Sequence, residues 1–175
     1  MSMFRELDEA YAPQILEIFN HAIVHTTALY DYRPRPLSAM SSWFAAKRAG
    51  SYPVFGIVDL VNPDVLKGFA SYGPFRDRPA NKYSIEHSVY VHPDHQGQGL
   101  GKLLLAEVIR RAQENGFHTL IGGIDAENLA SIRLHQQAGF QRVGVLPETA
   151  FKFGRWLTLE FHQLILTGPV NPREE

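Results

Sequence analysis

The chain has 175 residues, 45 % of them apolar, and its 17 Lys and Arg against 18 Asp and Glu leave a net charge of −1. That describes one ordinary globular domain, long enough to bury a core unaided and with no general attraction to nucleic acid or an anionic membrane. Cysteine is absent, which excludes disulfides, cysteine-ligated zinc, iron–sulfur clusters and any acyl-cysteine intermediate, and fits a reducing cytoplasm.

Phe4 to Leu7 reads as a short first strand. Asp8 then caps a helix whose apolar Ile15, Leu16, Phe19, Ala22 and Ile23 recur at helical spacing. Thr26 to Pro36 is loop, and Ser38 caps a second helix that runs to about Ala49 and stops at Gly50. Pro53 to Leu60 and Leu66 to Tyr72 form a hairpin about Asn62-Pro63-Asp64. No run approaches the roughly 18 apolar residues of a membrane span; the best, Val54 to Val61, is broken by Asp59, and Met1 to Glu6 has no apolar signal segment. A polar loop, Gly73 to Lys82, carries Arg76 and Arg78. Tyr83 to His92 is a strand with Ile85, Val89 and Val91 on one face, alternating with Glu86 and Tyr90, and Pro93 stops it.

Leu100 to Asn115 reads as a helix with Leu103, Leu104, Val108 and Ile109 inward. His118 to Ile124 is a strand, Asn128 to Ala138 a helix, and Phe140 to Leu146 and Trp156 to Leu166 are strands joined through a Lys-Phe-Gly-Arg turn. The order β-α-α-β-β-β-α-β-α-β-β is an α/β class with a mixed sheet and helices on both faces. A single domain over residues 1–167 is expected, followed by a polar, Pro-rich tail, 168–175, expected to fray.

The central chemical signal is Gln96-Gly97-Gln98-Gly99-Leu100-Gly101-Lys102, between a strand and a helix. Glycines let backbone N–H groups converge, and a helix N-terminus adds partial positive charge, which suits a phosphate or pyrophosphate. A P-loop needs Gly where Gln96 stands and Ser or Thr where Leu103 stands; a dinucleotide fingerprint needs Gly where Lys102 stands. The pattern Gln-x-x-Gly-x-Gly, met by Gln96, Gly99 and Gly101, resembles the acyl-CoA pyrophosphate loop of the GNAT superfamily of N-acetyltransferases. Asn128-x-x-Ser131-x-x-Leu134-His135-x-x-Ala138-Gly139-Phe140 resembles a second segment of that superfamily, in the expected order.

The resemblance narrows with Ser71-Tyr72-Gly73-Pro74-Phe75-Arg76, Ile85-Glu86-His87-Ser88-Val89-Tyr90-Val91-His92-Pro93-Asp94-His95, Gly123-Ile124-Asp125-Ala126-Glu127-Asn128 and Lys152-Phe153-Gly154-Arg155-Trp156. These look like the phosphinothricin and methionine sulfoximine N-acetyltransferases, over nearly all of residues 3 to 167. The resemblance implies a GNAT fold with a mostly antiparallel sheet of six or seven strands. It also implies acetyl-CoA as donor, a small amino acid as acceptor and a homodimer with the pocket near its interface. Thr158 departs from the Asp usual in these relatives, and Glu148 to Phe151 departs from their Gly-containing form; both bear on the acceptor's shape.

An amine is a cation near neutral pH and must lose a proton to attack a thioester, whose carbonyl must be polarised. Glu86, mid-strand before the glycine loop, is the candidate base, and the resemblance implies a catalytic Glu there. His135 stands where many relatives place a Tyr near the CoA sulfur, and is a candidate acid or base. Arg76 and Arg78 suit acceptor carboxylate or phosphinyl oxygens, with Asp77 as a neighbouring partner; His87 and Ser88 follow Glu86 and touch acceptor or donor, unless one turns to the core. Val89, Tyr90 and Val91 offer main-chain hydrogen bonds to a pantetheine arm. Gln96, Gly97, Gln98, Gly99, Leu100 and Gly101 form the pyrophosphate loop, and Lys102 either screens phosphate or is solvated. Asn128 bonds the pantetheine or caps its helix, and Gln137 is placed near the CoA arm by resemblance. The pairs His21/His25 and His92/His95 lack a completing ligand set, so no metal is expected. No Gly-x-Ser-x-Gly elbow is present.

The reading is direct transfer of acetyl from acetyl-CoA to the α-amine of a small amino acid. Its rivals are acetylation of a polyamine or a protein N-terminus, and a non-catalytic acyl-CoA sensor. The two arginines oppose a polyamine, and a sensor needs neither Glu86 nor His135.

Overall fold

The computed structural model describes residues 3–174. In chain order the elements are β1 (Met3–Glu6), α1 (Ala12–His25), α2 (Ser38–Ala49), β2 (Val54–Val58), β3 (Leu66–Pro74), β4 (Ser84–Val91), α3 (Leu100–Glu114), β5 (Thr119–Asp125), α4 (Leu129–Gln137), β6 (Gln141–Lys152) and β7 (Arg155–Ile165). The seven strands form one sheet in the order β1-β2-β3-β4-β5-β7-β6. β4 and β5 run parallel, while β1–β2, β2–β3, β5–β7 and β6–β7 are antiparallel. The α/β class and mixed sheet are those expected from the element order.

Residue contacts group the chain into two compact units, one of residues up to 71 with 89–104, the other of residues 72–88 with those from 105 on. β3, β4 and α3 each begin in one and end in the other. The first unit holds α1 and α2 against an aromatic core. Phe19 meets Phe69 edge-on at 5.1 Å, Tyr90 at 5.3 Å and Trp43 at 5.7 Å between ring centres, beside the buried Ile15, Met40, Phe44 and Val54. Asp8 caps a short 3-10 turn, Glu9–Tyr11, that leads into α1. Leu37, not Ser38, holds the capping position of α2. The connection between these helices is held by Asn20, whose side chain accepts from Arg35 N at 2.8 Å and donates to Arg35 O at 3.0 Å.

The second unit is built on β5, β7 and β6. Its core includes Leu105, Val108, Ala112, Leu120, Ile124 and Leu157. The inward stripe of α3 is Leu104, Leu105, Val108 and Ala112, while Leu103 is 40 % exposed; the stripe is turned by one residue from the expected one. β6 also runs six residues beyond the expected Leu146, through Pro147 and Glu148 to Lys152, with register shifts between Arg142 and Gly144 and between Leu146 and Ala150. The β6–β7 turn closes on Lys152↔Arg155 with φ of 52° at Phe153 and 74° at Gly154. Positive φ at both central residues is the two-residue hairpin geometry whose twist matches the strands.

Candidate active site

The donor loop is carried by the first unit. Tyr90 is anchored in that unit's core, and the side chain of Gln96 donates to Val91 O at 3.5 Å. A 3-10 turn, Pro93–His95, then turns the chain into the glycines. Gly97 and Gly99 hold φ of 74° and 78°, in the left-handed region that side chains resist. A Cβ at either would meet nothing within 4 Å, so the glycines serve backbone conformation and leave an open approach. The N–H groups of Lys102 and Leu103 turn back to Gly99 O. Those of Gly99, Leu100 and Gly101 find no backbone acceptor among the described residues. Three orphan donors at the start of a 15-residue helix fit a pyrophosphate. Gln98 and Lys102 are exposed there.

The candidate catalytic groups belong to the second unit. The parallel pairing of β4 with β5 runs Ser84↔Thr119, Ile85↔Leu120 and Glu86↔Ile121 and ends there, although β5 continues to Asp125 along β7. Beyond the last pair β5 carries Gly122 and Gly123, and these report what lies on each face. A Cβ on Gly123 would stand 3.0 Å from Glu86 Oε1, 3.7 Å from Leu159 and 3.8 Å from Phe161. A Cβ on Gly122 would stand 3.0 Å from the His87 ring and 3.2 Å from His135 Nε2. Neighbouring strand residues point to opposite faces, so Glu86 and His135 lie on opposite sides of the sheet. The structure does not bring the two candidate catalytic groups together.

On the first face, partial burial raises the Glu86 carboxyl above the ordinary range. Phe161, beside it, meets Phe75 edge-on at 6.0 Å, and the Arg76 guanidinium lies 5.8 Å over the Phe75 ring. A carboxylate, two aromatic rings and a guanidinium therefore follow one another along a single wall. Arg76, Asp77 and Arg78 are all exposed, as is Ser88.

On the other face, His87 and His135 are buried and stacked, with Nε2 to Nε2 at 2.8 Å. His135 Nδ1 lies 2.7 Å from Ser131 O. A carbonyl only accepts, so the His135 proton sits on Nδ1, and its Nε2 accepts from His87 Nε2–H. Both nitrogens of His135 are thus engaged within the protein. His87 Nδ1 has no hydrogen-bond partner. Burial lowers both rings' proton affinity, and His87 is held down to about 3, with the nearby His135 adding to the effect. The pair is neutral at neutral pH.

Asn128 caps α4, its Oδ1 accepting from Ser131 N at 3.1 Å, and Gln137 is exposed at the helix's last turn. Sequence reasoning missed a third imidazole. His162 is fully buried with its ring centre 6.4 Å from that of His135. It pairs with Glu160 at 2.9 Å, and Glu160 accepts from Arg142 at 3.2 Å. Only the antiparallel register Gly122↔His162 and Arg142↔His162 assembles this set; the i, i+2 spacing of Glu160 and His162 on one strand face was its signal. Among the described residues no group of three or more His, Asp and Glu is arranged to hold a metal ion.

Residues 12–140 match the Acetyltransferase (GNAT) family. Over 170 residues the chain is 43 % identical to an L-methionine sulfoximine/L-methionine sulfone acetyltransferase of Salmonella typhimurium, covering 96 % of each. Over 160 residues it is 41 % identical to an L-amino acid N-acyltransferase of Escherichia coli, covering 90 % of each. Among solved structures, an acetyltransferase of Salmonella typhimurium with acetyl-CoA as its cofactor matches at a TM-score of 0.92 and 40 % identity, covering 99 % of this chain and 98 % of that one.

Proposed function

Because the chain belongs to the acetyltransferase (GNAT) family, acetyl-CoA-dependent N-acetyltransferases, we propose that its acceptor is the α-amine of a small L-amino acid of the methionine sulfoximine and sulfone type. The row from Glu86 through Phe161 and Phe75 to Arg76 carries this reading. An ammonium fits the carboxylate, a carboxylate or sulfoximine oxygen fits the guanidinium, and the side chain's carbon atoms fit the rings between.

Acetyl-CoA supplies a thioester whose carbonyl carbon is the electrophile. Glu86 removes one proton from the acceptor's ammonium and frees the lone pair; its raised proton affinity brings it nearer that of the group it deprotonates. Backbone N–H groups of the Val89–Val91 segment polarise the carbonyl and align the pantetheine. Gln96 to Gly101 hold the pyrophosphate, with Lys102, Asn128 and Gln137 along the same arm. The C–N bond forms as the C–S bond breaks, and coenzyme A leaves as the thiolate, which takes up the second ammonium proton. His135 lies on the face opposite Glu86 and has no part in this step. With both nitrogens occupied, it serves by holding β4 against α4 through His87. Arg78, Asp77 and Ser88 complete the acceptor's surroundings, while His87 is turned to the opposite face with His135.

The working form in this reading is a cytoplasmic homodimer. β6 is an edge strand, and Val145, Leu146, Phe151, Phe153 and Trp156 on the β6–β7 hairpin expose large apolar side chains, a patch of the kind buried between subunits. Among the described residues no helix is long and apolar enough to cross a membrane.

Thiol release from acetyl-CoA tests the acceptor. Turnover is expected with L-methionine sulfoximine, L-methionine sulfone and phosphinothricin, and not with spermidine or a short peptide. Turnover confined to spermidine or the peptide would overturn the assignment.

A further inference from the structure

Among the described residues, the tip of the loop between β3 and β4 bonds back to itself, and its attachments lie at its two ends. Arg78 N bonds Arg76 O at 2.9 Å, Asn81 N bonds Arg78 O at 2.9 Å, and Lys82 N bonds Pro79 O at 3.2 Å. Its neck closes with Phe75 N to Ser84 O at 3.2 Å. Where the loop re-enters β4 stands Tyr83. Its carbonyl accepts from His118 N at 2.9 Å and Thr119 N at 3.1 Å, which joins the neck to the start of β5. Its hydroxyl accepts from Arg173 N at 3.0 Å and donates to Arg173 O at 3.3 Å, ninety residues along the chain.

The tail reaches that point along a fixed path. After β7, Leu166 N bonds His118 O at 2.7 Å, and His118 Nδ1 meets Gly168 O at 2.8 Å. Within the tail, Gly168 is thus tied to His118 and Arg173 to Tyr83. The hydrogen bonds named here use main-chain groups on the tail's side, and the buried side chain of Leu166 anchors its start.

We propose that residues 166–173 form a strap that sets the position of the Arg76–Arg78 loop for the acceptor, with Tyr83 as the positioning residue that transmits it. The inference rests on the reading that this loop binds the acceptor. Without the strap the neck retains its strand bonds, while the loop samples a wider range of positions. The acceptor then meets a less ordered site, and its binding weakens without change in the chemical step.

Tyr83→Phe removes the hydroxyl's two bonds and keeps the ring; Arg173→Pro removes the donor on the other side. Each, in the full-length protein, is expected to raise the acceptor's KM about three- to tenfold, the loss typical of one exposed hydrogen-bonded contact. kcat and the affinity for acetyl-CoA should stay within twofold, and the double variant should be no worse than either single one. Amide exchange over residues 76–82 should quicken in both. The strap is overturned if acceptor KM is unchanged in both variants, if their losses simply multiply, or if kcat and acetyl-CoA affinity fall alongside. Arg76→Ala separates this from the underlying reading. If Arg76→Ala leaves acceptor KM unchanged, the loop does not bind the acceptor. If it raises KM while Tyr83→Phe and Arg173→Pro do not, the loop reading stands and the strap fails.

Discussion

Acidification bears directly on the His87–His135 pair. In the unfolded chain an imidazole takes a proton near 6.5, whereas burial holds His87 down to about 3. A base whose folded proton affinity is depressed contributes stability above its unfolded pKa and loses it as the pH falls toward the folded one. For His87 the loss relative to neutral pH is on the order of 1 kcal/mol at about pH 5.5 and grows further by about pH 4.5. His135 shifts in the same direction and adds to it. The comparison to make is between the native chain and His87→Gln, whose amide nitrogen donates to His135 Nε2 without titrating. Urea unfolding at intervals from pH 7.5 to 4.5 gives the slope for each. The native protein's stability should fall more steeply by close to one bound proton, while carboxylates common to both chains cancel. Equal acid slopes in the two proteins would refute the buried neutral pair.

Further outcomes follow from single contacts. Glu86→Gln is expected to lower kcat/KM by ~10²–10⁴. Because burial raises the Glu86 carboxyl, ionising it opposes folding at neutral pH, so the same variant should melt higher at pH 7.5 than the native chain; a lower Tm refutes that reasoning. For the native enzyme kcat/KM should fall on acidification through an apparent pKa above the usual carboxylate range. Gly99→Ala meets no steric obstacle, so its cost comes from φ alone: about 1 kcal/mol of stability, and weaker acetyl-CoA binding measured by calorimetry. Trp156→Asp should shift sedimentation from dimer to monomer; an unchanged sedimentation coefficient would remove the hairpin from the interface.

The strands and helices were legible where period and punctuation agreed. Ile85, Val89 and Val91 against Glu86 and Tyr90 place β4, and Pro93 ends it. β6 was cut short because Pro147, and Glu148 with its φ of 51°, interrupt the alternation; the strand survives there by shifting register against β7. The glycine loop was legible because backbone geometry dictates residue type. The His87–His135 bond was not, since the partners lie 48 residues apart and meet only when α4 folds back over β4. That Glu86 and His135 occupy opposite faces follows from the two-residue period, with His87 one step from Glu86, once His87 and His135 are seen to touch. The tail's hydrogen bonds to His118 and Tyr83 leave no mark in its sequence, because on the tail's side they use main-chain atoms that every residue possesses.

The donor loop has a consequence for mutational tolerance. Its orphan amides belong to the backbone, so most side chains there carry little information about the ligand they help to hold. A saturation library across residues 96–102 should therefore record a sharply uneven map. Gln98 should accept nearly any residue, while Gly97 and Gly99, whose neighbours leave ample room, reject almost all. An intolerant position beside empty space marks a conformational requirement. It distinguishes a loop selected for its path from one selected for its contacts.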